Sequence, residues 1–124
     1  QPYKTQALVD SVLHTLYFNN PDGLSGNEDC GQMSAWYILN AMGFYQVCPG
    51  KPVYSIGRPL FNEATVHLKD GKSFKVIAHN NSRDNKYVRS IVLNGNKLET
   101  PFFTHQDIVD GGTLELTMGS EPLK

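Results

Sequence analysis

Apolar residues recur at three- and four-residue spacings over residues 4–18, which predicts an amphipathic helix. Thr5 stands directly before the periodic positions and is the expected N-cap. The helix should end before the turn residues 19–23, because a proline there cannot continue it. His14 lies on the polar flank and is expected to be solvated. The expected buried face consists of Leu8, Val9, Val12, Leu13 and Leu16, opposite the polar Asp10, Ser11 and His14.

A second helix is predicted for residues 31–42, and Gly43 should end it. Apolar side chains surround almost its whole circumference, and only Gln32, Ser34 and Asn40 are polar. A helix that is apolar all round is buried on all sides. A chain of 124 residues can scarcely wrap such a helix with one partner helix and a small sheet. We therefore expect missing neighbours, namely further helices upstream in a longer polypeptide.

From residue 53 onward the pattern changes to period two, which predicts short strands. Asp70-Gly71 and Asn94-Gly95 are two-residue hairpin signals between such strands. In the last strand Leu114, Leu116 and Met118 alternate with polar residues, so one face should be buried. The predicted strands are residues 53–57, 64–68, 73–78, 87–93, a strand from residue 97, 102–103 and 113–118. The predicted fold class is α+β, with two helices followed by a small antiparallel β-sandwich.

Composition narrows the function classes. The 124 residues suffice for one ordinary domain. Net charge is −1 and no Lys or Arg neighbours another, so the basic patch of a nucleic-acid-binding protein is missing. No apolar stretch approaches the ~20 residues that span a bilayer, so no membrane span is predicted. The chain opens on Gln1 without a visible signal segment, which we interpret as the start of a cut-out fragment.

Cys30 and Cys48 are the two cysteines of the chain. A helix of about 13 residues starting at Cys30 would be about 20 Å long. The return from Gly43 to Cys48 could cover about 17 Å when fully extended. A disulfide needs Cα atoms within ~7 Å, so a bridge would require a nearly straight return along the helix. We therefore expect two free thiols.

The chain is organised around residues 23–37, a glycine-punctuated loop that continues into the second helix. Asp22, Glu28 and Asp29 are three of the twelve acids of the chain and lie within eight positions. The first N–H groups of a helix lack partners and the helix dipole is positive there, so ionised carboxylates are favoured before a helix. Such a carboxylate can act as a general base or a ligand. More often it is simply an N-cap.

The same stretch carries a family resemblance. Residues 26–37 are Gly-Asn-Glu-Asp-Cys-Gly-Gln-Met-Ser-Ala-Trp-Tyr, and Gly43-Phe44-Tyr45 and Val47-Cys48-Pro49-Gly50 follow. Together they resemble the C-terminal end of glycoside hydrolase family 92, the calcium-dependent exo-α-mannosidases common in glycan-degrading bacteria. The similarity begins at Pro2-Tyr3-Lys4-Thr5-Gln6 and continues to Met118-Gly119, so it covers nearly the whole chain.

The resemblance implies an inverting hydrolase, in which one carboxyl is the general acid and a second carboxylate activates water across a gap of about 6.5–9.5 Å. Carried over by motif, Asp29 occupies the general-base position. Asn27 stands where other members often carry a second, assisting aspartate. An amide cannot take a proton, so Asp29 would act alone or with Asn27 orienting the water. Glu28 lies between them and would contact sugar hydroxyls or have a structural role.

The resemblance also bears on the rest of the molecule. Residues 1–50 would be the last helices of an (α/α)6 barrel, and residues 51–124 a C-terminal antiparallel β-sandwich. The general acid and most of the calcium site would lie upstream of Gln1, so no Ca2+ ligand is assignable and the isolated chain should be inactive. The substrates would be mannose-containing glycans, with α-1,2 linkages the first expectation. The parent polypeptide would be periplasmic, secreted or at the cell surface, and the severed fragment would tend to self-associate.

Two other functions fit parts of the sequence. A non-catalytic carbohydrate-associated module would be a small β-sandwich with two helices that binds carbohydrate or supports a neighbouring domain. A cysteine hydrolase would use Cys30 as nucleophile at a helix start, with one of the four histidines as base. Such an enzyme also needs an orienting group and an oxyanion hole, and no motif in the sequence marks either.

Overall fold

The computed structural model describes residues 1–123. Two helices come first, and a short third helix lies between the last two strands. The helices are α1 (Pro2–Thr15), α2 (Gln32–Met42) and α3 (His105–Val109). The strands are β1 (Phe44–Tyr45), β2 (Val53–Ile56), β3 (Glu63–His67), β4 (Ser73–His79), β5 (Tyr87–Leu93), β6 (Asn96–Lys97), β7 (Phe102–Thr104) and β8 (Gly112–Gly119). The predicted α+β class, with two leading helices, is confirmed.

These strands form two sheets, one in the order β1-β2-β7 and one in the order β3-β4-β8-β5-β6. The neighbouring strands pair antiparallel except β4 and β8, which run parallel from Phe74 opposite Gly112 to His79 opposite Thr117. The expectation of a purely antiparallel arrangement is wrong for this pair. The chain returns from β4 to β8 only after β5, β6, β7 and α3, and parallel neighbours require such a long crossover.

The two sheets share one apolar core. The ring centroids of Phe44 and Phe103, from the three-stranded sheet, lie 6.5 and 5.7 Å from that of Phe74 in the five-stranded sheet. Successive side chains of a strand point to opposite faces, so every second residue of β8 enters this core. The predicted alternation is confirmed, because the buried residues of β8 are Leu114, Leu116 and Met118.

One of the two predicted hairpins is confirmed and the other has a longer loop. Asn94-Gly95 joins β5 directly to β6, with φ of 49° and 81°. Two consecutive positive φ angles are what a type I′ turn requires. At Asp70-Gly71 φ is also positive, at 60° and 72°. There, however, a 3-10 turn (Lys69–Gly71) makes the connection, and the Leu68 N–H closes it by donating to the carbonyl oxygen of Lys72 at 2.9 Å.

The bounds of α1 differ from the prediction at both ends. Pro2 lies in the first turn of the helix, where its missing N–H is no loss, and Gln1 is at the N-cap position. The predicted cap at Thr5 is therefore wrong. The helix ends at Thr15, three residues earlier than predicted.

The face of α1 that packs on the sheets is more polar than predicted. Its buried residues are Gln6, Asp10 and Leu13. Leu8 and Leu16, both assigned to the buried face, are 67% and 44% exposed. The prediction is right for Leu13, and it is wrong for Asp10, which was placed on the solvent side. Buried polar side chains need partners, and both polar residues find theirs in the sheet region.

Polar contacts attach α1 to the sheet region. Gln6 Oε1 accepts a hydrogen bond from the Val88 N–H at 3.1 Å. Asp10 Oδ1 lies 3.0 Å from Nε of Arg58, in a charge contact rather than a well-directed hydrogen bond. Arg58 is 3% exposed, and this burial lowers the pKa of its guanidinium while Asp10 opposes the shift. His14 is exposed as predicted, with Nδ1 2.7 Å from the Asp10 carbonyl oxygen.

Helix α2 ends as predicted and is only partly covered within this chain. Gly43 follows it with φ of 104°, and its N–H donates to the carbonyl oxygens of Leu39 and Asn40 at 3.1 and 2.9 Å. Ala41 is buried, but Ile38 is 56% exposed. Within this chain α1 and the sheets cover one side of α2, which agrees with the expectation that these residues alone do not wrap the helix. The division into residues 1–50 and 51–124 stays a prediction.

Candidate active site

The loop between α1 and α2 folds back on itself through a glycine. The Phe18 N–H donates to the carbonyl oxygen of Gly23 at 2.9 Å, and the Gly23 N–H donates to the carbonyl oxygen of Asn20 at 3.0 Å. A Cβ at Gly23 would lie 1.8 Å from the Phe18 oxygen. No side chain fits in that space, so this turn requires glycine and brings the following loop residues to the start of α2.

The N-cap position of α2 is Gly31, and the side chain of the preceding loop that caps the first turn is that of Glu28. Its Oε1 accepts the backbone N–H of Ser34 at 3.0 Å, and its Oε2 accepts the Ser34 hydroxyl at 2.7 Å. The backbone bond to Ser34 and then the hydroxyl bond lower the pKa of Glu28, with a smaller contribution from the Met33 N–H. The carboxylate is therefore ionised at neutral pH and occupies the positive end of the helix.

Asp29 follows with an uncommon backbone conformation. Three consecutive residues have positive φ: 41° at Asp29, 61° at Cys30 and 90° at Gly31. The left-handed conformation costs a non-glycine residue about 1–2 kcal/mol. It persists only where surrounding contacts hold the chain. The carbonyl oxygen of Glu28 accepts the Gln32 N–H at 2.9 Å and so closes the turn around Asp29.

The three predicted site residues thus have different surroundings. The carboxylate of Glu28 is engaged by Ser34, whereas Asp29 and Asn27 are exposed. Among the hydrogen bonds and ion pairs of residues 1–123, none involves the side chain of Asp29 or Asn27. Of the two adjacent carboxylates, Glu28 is therefore the one that caps the first turn of α2.

An aromatic cluster lies beside this loop. The ring of Tyr17 stacks on that of Trp36 at a centroid distance of 5.5 Å and packs on Tyr37 at 5.0 Å. Burial, and then the negative charge of Glu28, raise the pKa of the Tyr17 phenol, so it is neutral at physiological pH. Tyr17 was not predicted from the sequence. It stands outside the motif, and only the packing of α1 on α2 brings it to the loop.

Two open clefts flank Tyr17, and their linings are mostly apolar. One is lined by Phe18, Leu24, Ser34, Tyr37 and Ile38 among others, and the other by Val12, Leu16, Ser25, Gln32, Met33 and Trp36. Asp29 and Asn27 belong to neither lining. Within the described chain the candidate base therefore stands on an open surface and not in an enclosed pocket.

Other predicted features of the site can also be placed. Cys30 and Cys48 are exposed and free, which confirms the two thiols. Among residues 1–123, no three His, Cys, Asp or Glu side chains lie close enough together to hold a metal ion. None of the described helices is long and apolar enough to cross a membrane.

Comparison with known proteins gives a consistent family. The model of the glycosyl hydrolase family 92 catalytic domain matches residues 1–120. An "uncharacterized secreted glycosidase" of Arthroderma benhamiae is 33% identical over 124 residues, which is 98% of this chain and 16% of that protein.

Solved structures agree. A family 92 inverting mannosidase from Bacteroides thetaiotaomicron is 48% identical, with a TM-score of 0.89 over 98% of this chain and 17% of its own. A second α-mannosidase of that organism, in complex with mannoimidazole, is 42% identical, with a TM-score of 0.92 over 98% of this chain and 16% of its own. The chain therefore spans 16–17% of the length of these relatives.

Proposed function

Because the chain belongs to glycosyl hydrolase family 92, we propose that it is the C-terminal part of an inverting exo-α-mannosidase, which hydrolyses terminal mannose from glycans. The names of the relatives support this activity, since the mannosidase that is 48% identical to this chain is described as inverting. One observation carries the assignment of the base. Glu28 occupies the start of α2, and the neighbouring carboxylate of Asp29 is exposed.

In this mechanism Asp29 is the general base. It takes a proton from a water molecule while the water oxygen bonds to the anomeric carbon. The bond to the leaving oxygen breaks as an acid outside this chain protonates that oxygen. The two carboxyls would stand about 6.5–9.5 Å apart, which leaves room for the water. Asn27 cannot accept the proton, but its amide can orient the water by hydrogen bonding.

The rest of the polypeptide would complete the site. Exposed apolar residues on and beside the two helices, among them Leu8, Phe18 and Ile38, support further helices of an (α/α)6 barrel packed there. The acid would come from those helices. The isolated chain of 124 residues should therefore show no mannosidase turnover with calcium, and its uncovered helices should make it self-associate.

Three finer features belong to the same proposal. Calcium would be bound mostly by residues upstream of this chain. The preferred linkage would be α-1,2. The full-length enzyme would act in the periplasm or outside the cell, which the name of the secreted fungal relative supports.

The test compares the full-length protein with its Asp29→Asn variant on an α-1,2-mannobioside in the presence of calcium. Proton NMR follows the rate and the anomer released first. We expect β-mannose from the wild type, because inversion at an α-linked sugar gives the β product. We expect a rate loss of about 10²–10⁴-fold in the variant, the usual contribution of a general base.

The outcomes separate the parts of the proposal. A near-normal rate for Asp29→Asn would remove Asp29 from the mechanism, and α-mannose as the first product would contradict inversion. Full activity after exhaustive chelation would show that the enzyme does not require calcium. No turnover by the wild-type protein on any mannoside would favour the non-catalytic module. An α-1,3-mannobioside, run in parallel, tests the linkage.

A further inference from the structure

We propose that Glu28 is a positioning residue for Asp29. Its carboxylate fastens the loop to the first turn of α2 through Ser34 and so sets the direction in which Asp29 points. This inference rests on the proposed function, because it assumes that Asp29 is the base. Of the two roles expected for Glu28, a sugar contact or a structural role, it specifies the structural one as acting through the neighbouring residue.

The first step of the argument is the contact itself. Ser34 offers two donors, its N–H at 3.0 Å and its hydroxyl at 2.7 Å, and each reaches a different oxygen of Glu28. Hydrogen bonds to an ionised carboxylate are stronger than those between neutral groups. With both oxygens engaged, the group is fixed in position and in orientation.

The second step is the backbone between this contact and the helix. Residues 29–31 all have positive φ, and the Gln32 N–H donates to the Glu28 carbonyl oxygen at 2.9 Å. Glu28 and Gln32 are thus two fixed points on either side of Asp29. Positive φ at Asp29 and Cys30 persists only while such contacts hold it. Without the Glu28 carboxylate, the turn keeps one of its anchors and can relax.

The third step distinguishes positioning from sugar binding. A sugar contact would need a Glu28 oxygen to accept a hydroxyl in addition to the bonds from Ser34. Such a contact would contribute to substrate binding, so its loss in a Glu28 variant would raise KM. Positioning acts on the rate, because a base displaced by about 1 Å can lower turnover about 10²-fold.

The experiment uses the full-length protein with four variants: Glu28→Ala, Glu28→Gln, Ser34→Ala and the double variant Glu28→Ala with Ser34→Ala. We expect kcat on the mannobioside to fall about 10- to 100-fold for Glu28→Ala with little change in KM. Ser34→Ala keeps its backbone N–H and should lose less. The double variant should be no slower than Glu28→Ala, because one contact is removed in both cases.

The conservative variant Glu28→Gln tests whether kcat can be partly restored. Glu28→Gln keeps an oxygen that can accept the Ser34 N–H, so it should recover part of the kcat lost in Glu28→Ala. Glu99 is an exposed glutamate of the loop after β6, and Glu99→Ala is the matched control, with unchanged kcat and KM. If Glu28→Ala does not fold, judged by thermal unfolding, Glu28→Gln and Ser34→Ala still measure the contact.

Different results overturn different statements. A rise in KM for Glu28→Ala with kcat preserved, and a normal Ser34→Ala, would mean that Glu28 contacts the sugar. Losses that multiply in the double variant would mean that the two side chains act separately. Asp29→Asn, measured in the same series, distinguishes failure of this inference from failure of the proposed function. A large rate loss in Asp29→Asn together with unaffected Glu28 variants would contradict this inference alone. A normal rate in Asp29→Asn would contradict both this inference and the assignment of Asp29 in the proposed function.

Discussion

The sheet region and the helical region of this chain differ in how far they bury their apolar side chains. In the sheets Phe74, Leu114 and Leu116 are inaccessible to solvent, and rings from both sheets meet in one core. On the helices and the loop after α1, Leu8, Phe18 and Ile38 are more than half exposed. The sheets therefore enclose a core within this chain, although Phe102 of β7 is 51% exposed, whereas the helices present apolar surface that no described residue covers.

The candidate base lies on the incomplete side. Asp29 is in the loop before α2, and the clefts near it are open. Functional groups commonly lie on loops that a rigid scaffold positions. Here the sheets supply the scaffold. Polar contacts from Gln6 to Val88 and from Asp10 to Arg58 attach α1 to it. The following predictions test how separate the two regions are.

The largest effect is expected in the sheet core. Phe74→Ala should lower the free energy of unfolding of the 124-residue chain by about 3–5 kcal/mol, because it leaves a cavity among packed rings. Ile38→Ala on the exposed side of α2 should change it by less than about 0.5 kcal/mol. Urea unfolding followed by circular dichroism measures both. Similar losses at the two positions would contradict the contrast between the regions.

The ion pair between the regions should come next. Asp10→Ala leaves the guanidinium of Arg58 buried without its counter-charge, which should cost about 3 kcal/mol. Replacing both residues, as Asp10→Ala with Arg58→Met, should recover most of the loss, because no buried charge remains. The same unfolding assay gives the coupling. Purely additive losses would show that the two side chains do not interact.

A smaller loss is expected from the turn before the candidate base. Gly23→Ala forces a methyl group against the Phe18 carbonyl oxygen and should cost about 1–3 kcal/mol. Gly26→Ala is the matched control: it meets no atom within 4 Å, and only its positive φ is penalised. The control should lose about 1 kcal/mol. The prediction fails if Gly26→Ala is the more damaging of the two.

The smallest effect concerns the cap and depends on pH. The pKa of Glu28 is lowered in the folded chain, so its stabilisation is present above the unfolded value of about 4.5. It is lost as pH falls through the lower folded value. The difference in unfolding free energy between wild type and Glu28→Gln should be constant from pH 7 to pH 5 and shrink towards pH 3. A pH-independent difference at Glu28 would contradict the cap.

Much of the local structure was predictable because it depends on neighbouring residues. Gly43 ends α2 since glycine tolerates positive φ, and Asn94-Gly95 turns for the same reason. The alternation in β8 follows from the period of a strand. The family motif around Asp29 is likewise continuous in sequence. Such features depend only on residues within a few positions along the chain.

Other features were decided by contacts between distant parts of the chain. The alternation of polar and apolar residues in α1 could not show that Asp10 faces Arg58, because that partner lies 48 positions later. The parallel pairing of β4 with β8 likewise joins segments that α3 and three strands separate.

The sequence by itself determined most of the helices and strands, the family and the set of candidate carboxylates, but it did not predict β1 or α3. The tertiary structure decided which of the carboxylates caps α2, since the motif contains Glu28 and Asp29 side by side and only the loop geometry directs one to Ser34. It also brought Tyr17 to the loop. Backbone preference and periodicity act over a few residues, whereas the partner of a side chain depends on how the whole chain packs.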